Sequence, residues 1–310
     1  MESMPDRLLS LITVLLIAGS VPIVATKMDG VATQQTSATP ASANEMVAVQ
    51  ENVVYATVSG SELHLDVYGP ARRPEALSPA IVLIHGGGWM NLDKSTMRGM
   101  GQLLARYGFV GFSVNYRLFK EGGNSWPAQL DDVQRAVRWI RANSTKYSVD
   151  PQRIGAFGHS AGAQLAALLG LQDTRDNSDP ALAKYSSKVQ AVVDVSGPAD
   201  LTSERDFEGA KFLTSFLGAD YAKNPEVWQA ASPVYCVSKN APPFLIVHGT
   251  QDQDVPISQA QELYEKLQAA GVPVFFVKVE DGHTFQTPDA RRELAIETIG
   301  FFNRYLVVAR

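Results

Sequence analysis

A serine between two glycines is the first residue of this sequence that suggests chemistry. Ser160 lies in Gly-His-Ser-Ala-Gly at residues 158–162, directly after an apolar run at residues 153–157 and before an Ala- and Leu-rich stretch at residues 161–171. A tight turn from a strand into a helix leaves no room for side chains on both flanks, and the two glycines relieve that clash. This setting predicts a nucleophilic serine that projects from the turn, with the positive end of a helix dipole behind it.

A serine hydroxyl is a poor nucleophile, so it needs a general base. His283 follows the apolar run of residues 274–279 and precedes a helical pattern at residues 289–306, so its loop can reach across the strand ends to Ser160. An ordinary histidine pKa of about 6.5 suits a group that takes and returns a proton near neutral pH. We therefore predict that His283 is the base. The other histidines are His64 in an early hairpin pattern, His159 beside the nucleophile, and His85 and His248, which each end a predicted strand just before a glycine and suit a structural hydrogen bond.

A histidine base needs an acid that fixes its tautomer. Two carboxylates, Asp252 and Asp254, compete for this role just after the apolar run of residues 244–247. Asp252 comes sooner after the strand end, and we predict it as the acid. Asp254 is the alternative, or else it caps a helix that starts near residue 256. Asp200, after another predicted strand, is a third candidate.

Three consecutive glycines lie in His-Gly-Gly-Gly-Trp at residues 85–89, directly after the apolar run of residues 80–84. Such glycines let the backbone approach a ligand closely and aim its N–H groups at it. In an acyl-transfer enzyme these groups hold the oxyanion of the tetrahedral intermediate, and the N–H of Ala161, just after the nucleophile, would complete the hole. A phosphate-binding loop is excluded because no Gly-Lys-Ser/Thr follows. A structural glycine-rich turn is the remaining alternative.

Short apolar runs precede all of these motifs and predict buried strands. The buried strands are predicted at residues 80–84, 109–114, 153–157, 191–195, 244–247 and 274–279, and an antiparallel hairpin at residues 53–58 and 63–68. Helical spacing is found at residues 130–140, 161–171, 258–270 and 289–306. This alternation predicts the α/β fold class, with a mostly parallel sheet covered by helices on both faces. The irregular stretch at residues 201–237 predicts a small cap or flanking insertion.

The first 46 residues carry other signals. Arg7 precedes an apolar run at residues 8–18, which is shorter than the roughly 20 residues of a membrane-spanning helix. With the small residues before position 26, this predicts a signal peptide at residues 1–25 and a secreted or periplasmic protein. An uncleaved N-terminal anchor is the alternative. Residues 26–46 predict a flexible linker, and the folded domain is expected over residues 47–310.

Composition narrows the possible partners. Hydrophobic residues make up 45% and charged residues 19% of the chain, as in globular proteins with a large core. The formal net charge of −5 disfavours nucleic acid and anionic membrane surfaces, so we expect neither as a partner. The single cysteine, Cys236, excludes an internal disulfide and a cysteine-built zinc site. We expect no metal and no organic cofactor.

With these motifs, the sequence resembles the carboxylesterases of the α/β-hydrolase superfamily. This group includes acetyl esterases, feruloyl-esterase-like enzymes and hormone-sensitive-lipase-like esterases. The resemblance runs from about residue 52 to the C-terminus, and the chain order of nucleophile, acid and base is the one this fold gives. The matching segments are residues 85–89, 115–118, 127–128, 131–132, 150–151, 158–162, 242–243, 248–256 and 282–283.

The resemblance implies a set of site residues. They are Ser160 as nucleophile, Asp252 as acid, His283 as base, and Gly87, Gly88 and Ala161 at the oxyanion positions. One departure is Thr284, because these esterases often have a small residue at that place. The aromatic residues that could form the substrate pocket, or equally belong to the core, are Trp89, Tyr116, Phe119 and Trp126.

The implied reaction is hydrolysis of a carboxylic ester in two steps, through an acyl-enzyme on Ser160 and without a cofactor. Short-acyl or aryl esters are the expected substrates, among them acetyl or feruloyl groups linked to polysaccharide. A fold does not fix a function, so a peptidase or an amide hydrolase of the same fold remains an alternative. A non-catalytic binding protein is disfavoured because no member of the triad is missing.

Overall fold

The computed structural model describes residues 46–72, 74–203 and 210–307. The predicted signal peptide, residues 1–25, lies outside these residues, as does the predicted linker at residues 26–46 apart from its last residue. Within the described residues, no helix combines the length and the apolar character needed to cross a lipid bilayer.

Among the residues that the structure describes, one sheet of eight strands forms the centre of the fold, in the order β1-β2-β4-β3-β5-β6-β7-β8. The strands are β1 (Val47–Val58), β2 (Ser61–Pro70), β3 (Ser78–Ile84), β4 (Val110–Val114), β5 (Val149–His159), β6 (Ala191–Val195), β7 (Phe244–Gly249) and β8 (Val274–Val279). β2 is antiparallel to β1 and to β4, while the pairs from β4 through β8 are parallel. The predicted hairpin and the predicted buried strands are confirmed, with shifts of a few residues at their ends.

Helices connect most of the strands. They are α1 (Arg98–Arg106), α2 (Ala128–Ala142), α3 (Ser144–Tyr147), α4 (Ala161–Leu171), α5 (Ala210–Leu217), α6 (Pro225–Ala230), α7 (Pro233–Cys236), α8 (Ile257–Ala269) and α9 (Pro288–Leu306). The sequence did not predict α1, which contains two glycines that weaken a helical pattern. One of them, Gly101, lets α1 approach β2, since a Cβ atom there would lie 2.4 Å from the Tyr68 ring.

The side chains of the central strands alternate between two buried clusters, as the two-residue period of a strand requires. On β3, Ile81 and Leu83 pack with residues of α1 and α9. Val82 and Ile84 point to the opposite face and pack with residues of α2, α4 and α8. The prediction of a sheet covered by helices on both faces is therefore confirmed.

The carboxyl ends of the parallel strands meet at one edge of the sheet, where α/β proteins place their ligand sites. The glycine-rich segment at residues 85–89 follows β3, and Ser160 follows β5. Asp252 follows β7, and His283 follows β8. In its described residues, the predicted insertion between β6 and β7 contains α5, α6 and α7, and α5 contributes to a cavity at this edge.

Candidate active site

Ser160 occupies a turn that only small neighbours permit. Its φ of 56° and ψ of −126° lie outside the helical and extended regions, and its N–H donates to the Val195 carbonyl at 2.8 Å. A Cβ atom on Gly158 would lie 2.1 Å from the carbonyl oxygen of Gly162, and a Cβ atom on Gly162 would lie 2.2 Å from that of Ile84. Both positions therefore require glycine, as the sequence pattern indicated.

The structure brings the three predicted triad residues into one hydrogen-bonded chain. His283 Nε2 lies 2.8 Å from Ser160 Oγ, and His283 Nδ1 lies 2.7 Å from Asp252 Oδ2. An ionised carboxylate only accepts hydrogen bonds, so Nδ1 carries the proton and Nε2 presents its lone pair to the serine hydroxyl. This is the tautomer that a general base for Ser160 needs.

The Asp252 carboxylate is buried and fully engaged. Its Oδ1 accepts the N–H groups of Asp254 and Val255, each at 2.9 Å, so the turn after β7 wraps around it. Burial alone would raise the pKa of this carboxyl, but hydrogen bonds from His248, His283 and Val255 outweigh burial and hold the pKa well below its usual range. Asp252 is therefore ionised at neutral pH.

The two other candidate acids lie in different surroundings. Asp254 contributes its backbone N–H to Asp252, while its own side chain is exposed at the rim of the cavity. Asp200 accepts hydrogen bonds from the N–H and the hydroxyl of Thr202, at 2.8 and 2.6 Å. Among the described contacts of His283, the only carboxylate is that of Asp252.

Three of the remaining histidines have structural partners. His85 stacks on Tyr116 with ring centroids 4.3 Å apart, and burial lowers the pKa of His85 to about 4, so it stays neutral. His64 lies in β2 beside Glu62, at 3.4 Å. His159 Nε2 lies 2.8 Å from the carbonyl oxygen of His283, which makes it a donor to the backbone of the base.

The glycine-rich segment supplies free backbone donors beside Ser160. Gly87 has a φ of 96°, and a Cβ atom there would lie 2.2 Å from the carbonyl oxygen of Asn91, so no other residue fits. Within the described part of the chain, the N–H groups of Gly87, Gly88 and Ala161 have no protein acceptor. These three residues line the same cavity as Ser160, so their N–H groups are available to an oxyanion there.

The cavity has a volume of about 450 Å³ and a mainly apolar wall. Its apolar side chains are Trp89, Leu92, Pro198, Leu201, Phe212, Leu213, Val255 and Pro256. The Trp89 indole donates to Gln164 Oε1 at 3.1 Å and stacks on Phe216 at 4.6 Å, which fixes this side of the wall. The sequence did not single out Phe212 and Leu213, because the stretch around them has no regular pattern.

Of the four aromatic residues considered from the sequence, only Trp89 lines the described cavity. The Tyr116 hydroxyl donates to the His85 carbonyl at 3.0 Å and supports the glycine-rich segment from behind. Phe119 and Trp126 each pack edge-on against Phe216. These three residues therefore belong to the layer behind the wall.

The sequence matches the BD-FAE family over residues 65–267, which is more than half of the chain and includes the nucleophile turn and the segment after β7. This protein belongs to the BD-FAE family. The BD-FAE match ends before His283, so the predicted base lies in the part of the chain that follows the matched region.

Known proteins similar to this BD-FAE chain include Esterase LipC of Mycobacterium tuberculosis, with 32% identity over 237 residues, 74% of this chain and 58% of that protein. The chain spans about half the length of the curated relatives it matches. The solved structure of a truncated carbohydrate esterase from gut microbiota has 28% identity and a TM-score of 0.72, covering 84% of this chain and 97% of that one. Esterase 2 of Thermogutta terrifontis has 26% identity and a TM-score of 0.71, covering 83% and 91%. The predicted α/β-hydrolase fold is thereby confirmed.

Proposed function

We propose that this protein is a serine hydrolase that cleaves carboxylic esters through an acyl-enzyme on Ser160. The observation that carries the proposal is the hydrogen-bonded chain from Ser160 Oγ through His283 to Asp252, at 2.8 and 2.7 Å, beside backbone N–H groups for which the described residues supply no acceptor. The same geometry weighs against a purely binding role, because binding alone would not require a base in the correct tautomer.

In the first step, the Ser160 hydroxyl transfers its proton to His283 Nε2 as Oγ attacks the ester carbonyl carbon. The N–H groups of Gly87, Gly88 and Ala161 would stabilise the oxyanion, and loss of one such donor costs roughly 3 to 4 kcal/mol in comparable enzymes. The ionised Asp252 stabilises the imidazolium. When the C–O bond to the alcohol breaks, His283 returns the proton to the departing oxygen.

In the second step, water replaces the alcohol. His283 Nε2 takes a proton from the water as the water oxygen attacks the acyl carbon, and the same N–H groups again hold the oxyanion. Collapse of this intermediate breaks the acyl–Oγ bond, and the proton on His283 returns to Ser160. The products are a carboxylic acid and the free enzyme, so no redox partner or cofactor takes part.

The substrates that we propose are short-acyl or aryl esters. The apolar cavity of about 450 Å³ suits a small uncharged acyl or aryl group. Among the similar structures, Esterase 2 of Thermogutta terrifontis has been solved with propionate bound, with butyrate bound, and phosphonylated by sarin. These structures support short acyl groups and a nucleophile that reacts with organophosphorus compounds.

We propose more specifically that the substrates carry acetyl or feruloyl groups linked to polysaccharide. The support is the similarity to the carbohydrate esterase from gut microbiota. Parallel assays on acetylated xylan and methyl ferulate would test it, and turnover of simple esters without either activity would reject the polysaccharide part alone.

We further propose that the chain is exported. The support is the apolar run at residues 8–18 behind Arg7, with small residues near position 25. N-terminal sequencing of the protein recovered from the culture fluid or periplasm of an expressing bacterium tests this. Mature protein that begins near residue 26 is the expected result, and protein confined to the cytoplasm with its first residues intact would contradict it.

The test of the reaction is hydrolysis of p-nitrophenyl acetate, butyrate and octanoate by the wild type and by Ser160→Ala. We expect turnover by the wild type, no turnover by the variant above background, and labelling of Ser160 by a fluorophosphonate probe. A folded wild-type protein that hydrolyses none of these esters would reject the proposal, and p-nitroacetanilide would then test the amide alternative.

A further inference from the structure

His248 is a buried histidine at the end of β7 that the proposed reaction does not use. Its side chain is fully buried, and its Nε2 lies 2.9 Å from the Val255 carbonyl oxygen. A carbonyl oxygen can only accept, so Nε2 must carry a proton. The same Nε2 lies 3.2 Å from Asp252 Oδ2, which places this N–H between a backbone carbonyl and the acid.

Two imidazole nitrogens therefore lie within 3.2 Å of Asp252 Oδ2. His283 Nδ1, on the loop after β8, lies 2.7 Å from this oxygen, and His248 Nε2, at the end of β7, lies 3.2 Å from it. The other oxygen, Oδ1, is occupied by the N–H groups of Asp254 and Val255. Without His248, the carboxylate would lose its only described side-chain donor other than the base itself.

We infer that His248 is a positioning residue for the acid: its Nε2–H holds Asp252 Oδ2 in the orientation that His283 requires and shares the negative charge of that oxygen. The inference rests on the proposed function and deepens it. A purely structural role for His248 would consist only of the bond to the Val255 carbonyl, which ties the turn after β7 to the strand.

The charges around His248 determine the direction of the pH effect. Asp252 faces it from the turn after β7, Asp194 from β6, His159 from the end of β5, and His283 from the loop after β8. The carboxylate of Asp252 is the one in contact with the base. Removal of a donor from Oδ2 leaves more negative charge on that oxygen, which strengthens its attraction to the imidazolium form of the neighbouring His283 ring.

The test compares His248→Met, which removes the donor at similar volume, with His248→Gln, whose side-chain amide N–H can replace Nε2–H. Both are assayed with p-nitrophenyl butyrate across a range of about pH 5 to 9. Active sites are counted by fluorophosphonate labelling, so that misfolded protein does not enter kcat. Leu306→Ala, which removes a core side chain from α9 at 1% exposure, is a control for lost stability at a distance from the site.

For His248→Met we expect kcat to fall about 10-fold with KM within about twofold of the wild type, because a hydrogen bond to a charged group is lost in the buried site. The acid limb of the kcat/KM profile should move up by about half a pH unit. His248→Gln should recover kcat to within about threefold. Leu306→Ala should lower the unfolding temperature and leave the limb unmoved.

Three results would overturn the inference: an acid limb in His248→Met that is unmoved or shifted to lower pH, an unchanged kcat, or a His248→Gln protein no better than His248→Met. These results presuppose an active wild type. A wild type that neither turns over esters nor reacts with the probe would instead reject the proposed function.

Discussion

His159 Nε2 lies 2.8 Å from the carbonyl oxygen of His283, so the residue before the nucleophile is hydrogen-bonded to the backbone of the base. Burial lowers the pKa of His159, which keeps the ring neutral, and a neutral ring donates to this carbonyl through Nε2–H. The nucleophile turn and the base loop are thus joined by a bond separate from the one between Ser160 and His283. This bond limits how far the loop after β8 can move from the end of β5.

Loss of that bond should reduce turnover. In His159→Leu we expect kcat to fall about fivefold, because a hydrogen bond between neutral groups contributes about 1 kcal/mol. His159→Gln retains an N–H donor and should keep most of the activity. Steady-state kinetics on p-nitrophenyl butyrate, with active sites counted by fluorophosphonate labelling, measures the difference. Equal rates for His159→Leu and the wild type would show that the base loop does not depend on this contact.

The choice between the two carboxylates after β7 can be tested directly. Asp252→Asn should lower kcat by about 10³- to 10⁴-fold, because the amide favours the wrong tautomer of His283. Asp254→Asn should stay within about threefold of the wild type, since only its backbone N–H contacts the acid. The comparison uses kcat at neutral pH with both proteins checked for folding by circular dichroism. A large loss in Asp254→Asn would assign the acid role differently.

The glycine requirement of the nucleophile turn makes a prediction about stability. Gly162→Ala places a Cβ atom 2.2 Å from the Ile84 carbonyl oxygen, a backbone clash that nothing nearby can relieve, so we expect a loss of at least about 3 kcal/mol or no folded protein. Gly300→Ala is the matched control on the open side of α9, where a Cβ atom meets nothing within 4 Å. It should stabilise the protein by about 0.5 to 1 kcal/mol. Chemical denaturation measures both, and a Gly162→Ala protein as stable as the wild type would contradict the geometry of the turn.

Asp194 makes stability depend on pH. Burial raises the pKa of this β6 carboxyl from 3.8 to about 6. Between these values the folded protein holds a proton that the unfolded chain has lost, so the carboxyl lowers stability as the pH rises through that window. Asp194→Asn keeps an Oδ1 acceptor for the Gly197 N–H, which lies 3.0 Å from the carboxylate.

Asp194→Asn and the wild type should be about equally stable at about pH 4. At pH 7 the free energy of unfolding of Asp194→Asn should be higher than that of the wild type by about 3 kcal/mol. Urea denaturation at several pH values measures this difference. Other titrating groups, such as Asp252, are present in both proteins and cancel. A difference that does not vary with pH would mean that Asp194 titrates at its ordinary value in the folded protein.

The close approach of the three predicted triad residues could be predicted from the sequence because it follows from local rules. Continuous apolar runs mark buried parallel strands, and the carboxyl ends of such strands share one edge of the sheet, so Ser160, Asp252 and His283 had to lie close together. Asp252 could be preferred to Asp254 as the partner of His283 because it comes sooner after the end of the strand.

The walls of the cavity could not be predicted in the same way. Phe212 and Leu213 lie on α5, and their contact with the cavity depends on how this short helix packs against Trp89. The spacing of apolar residues along the sequence does not predict that packing. The contact between His248 and Asp252 was also missed. A histidine at a strand end suggested a structural bond, and only the three-dimensional turn after β7 shows that the same Nε2 lies 3.2 Å from the Asp252 carboxylate.

The backbone of Ser160 has a further consequence. A φ of 56° with a ψ of −126° belongs to a region that glycine enters freely, and a residue with a side chain is held there at a cost of order 1 to 3 kcal/mol. A protein with glycine at this position would thus be relieved of that strain, and mutants selected only for heat resistance would tend to lose the proposed nucleophile. Thermal stability therefore favours glycine at residue 160, whereas turnover needs serine. Directed evolution for higher thermal stability therefore has to select for activity in the same round.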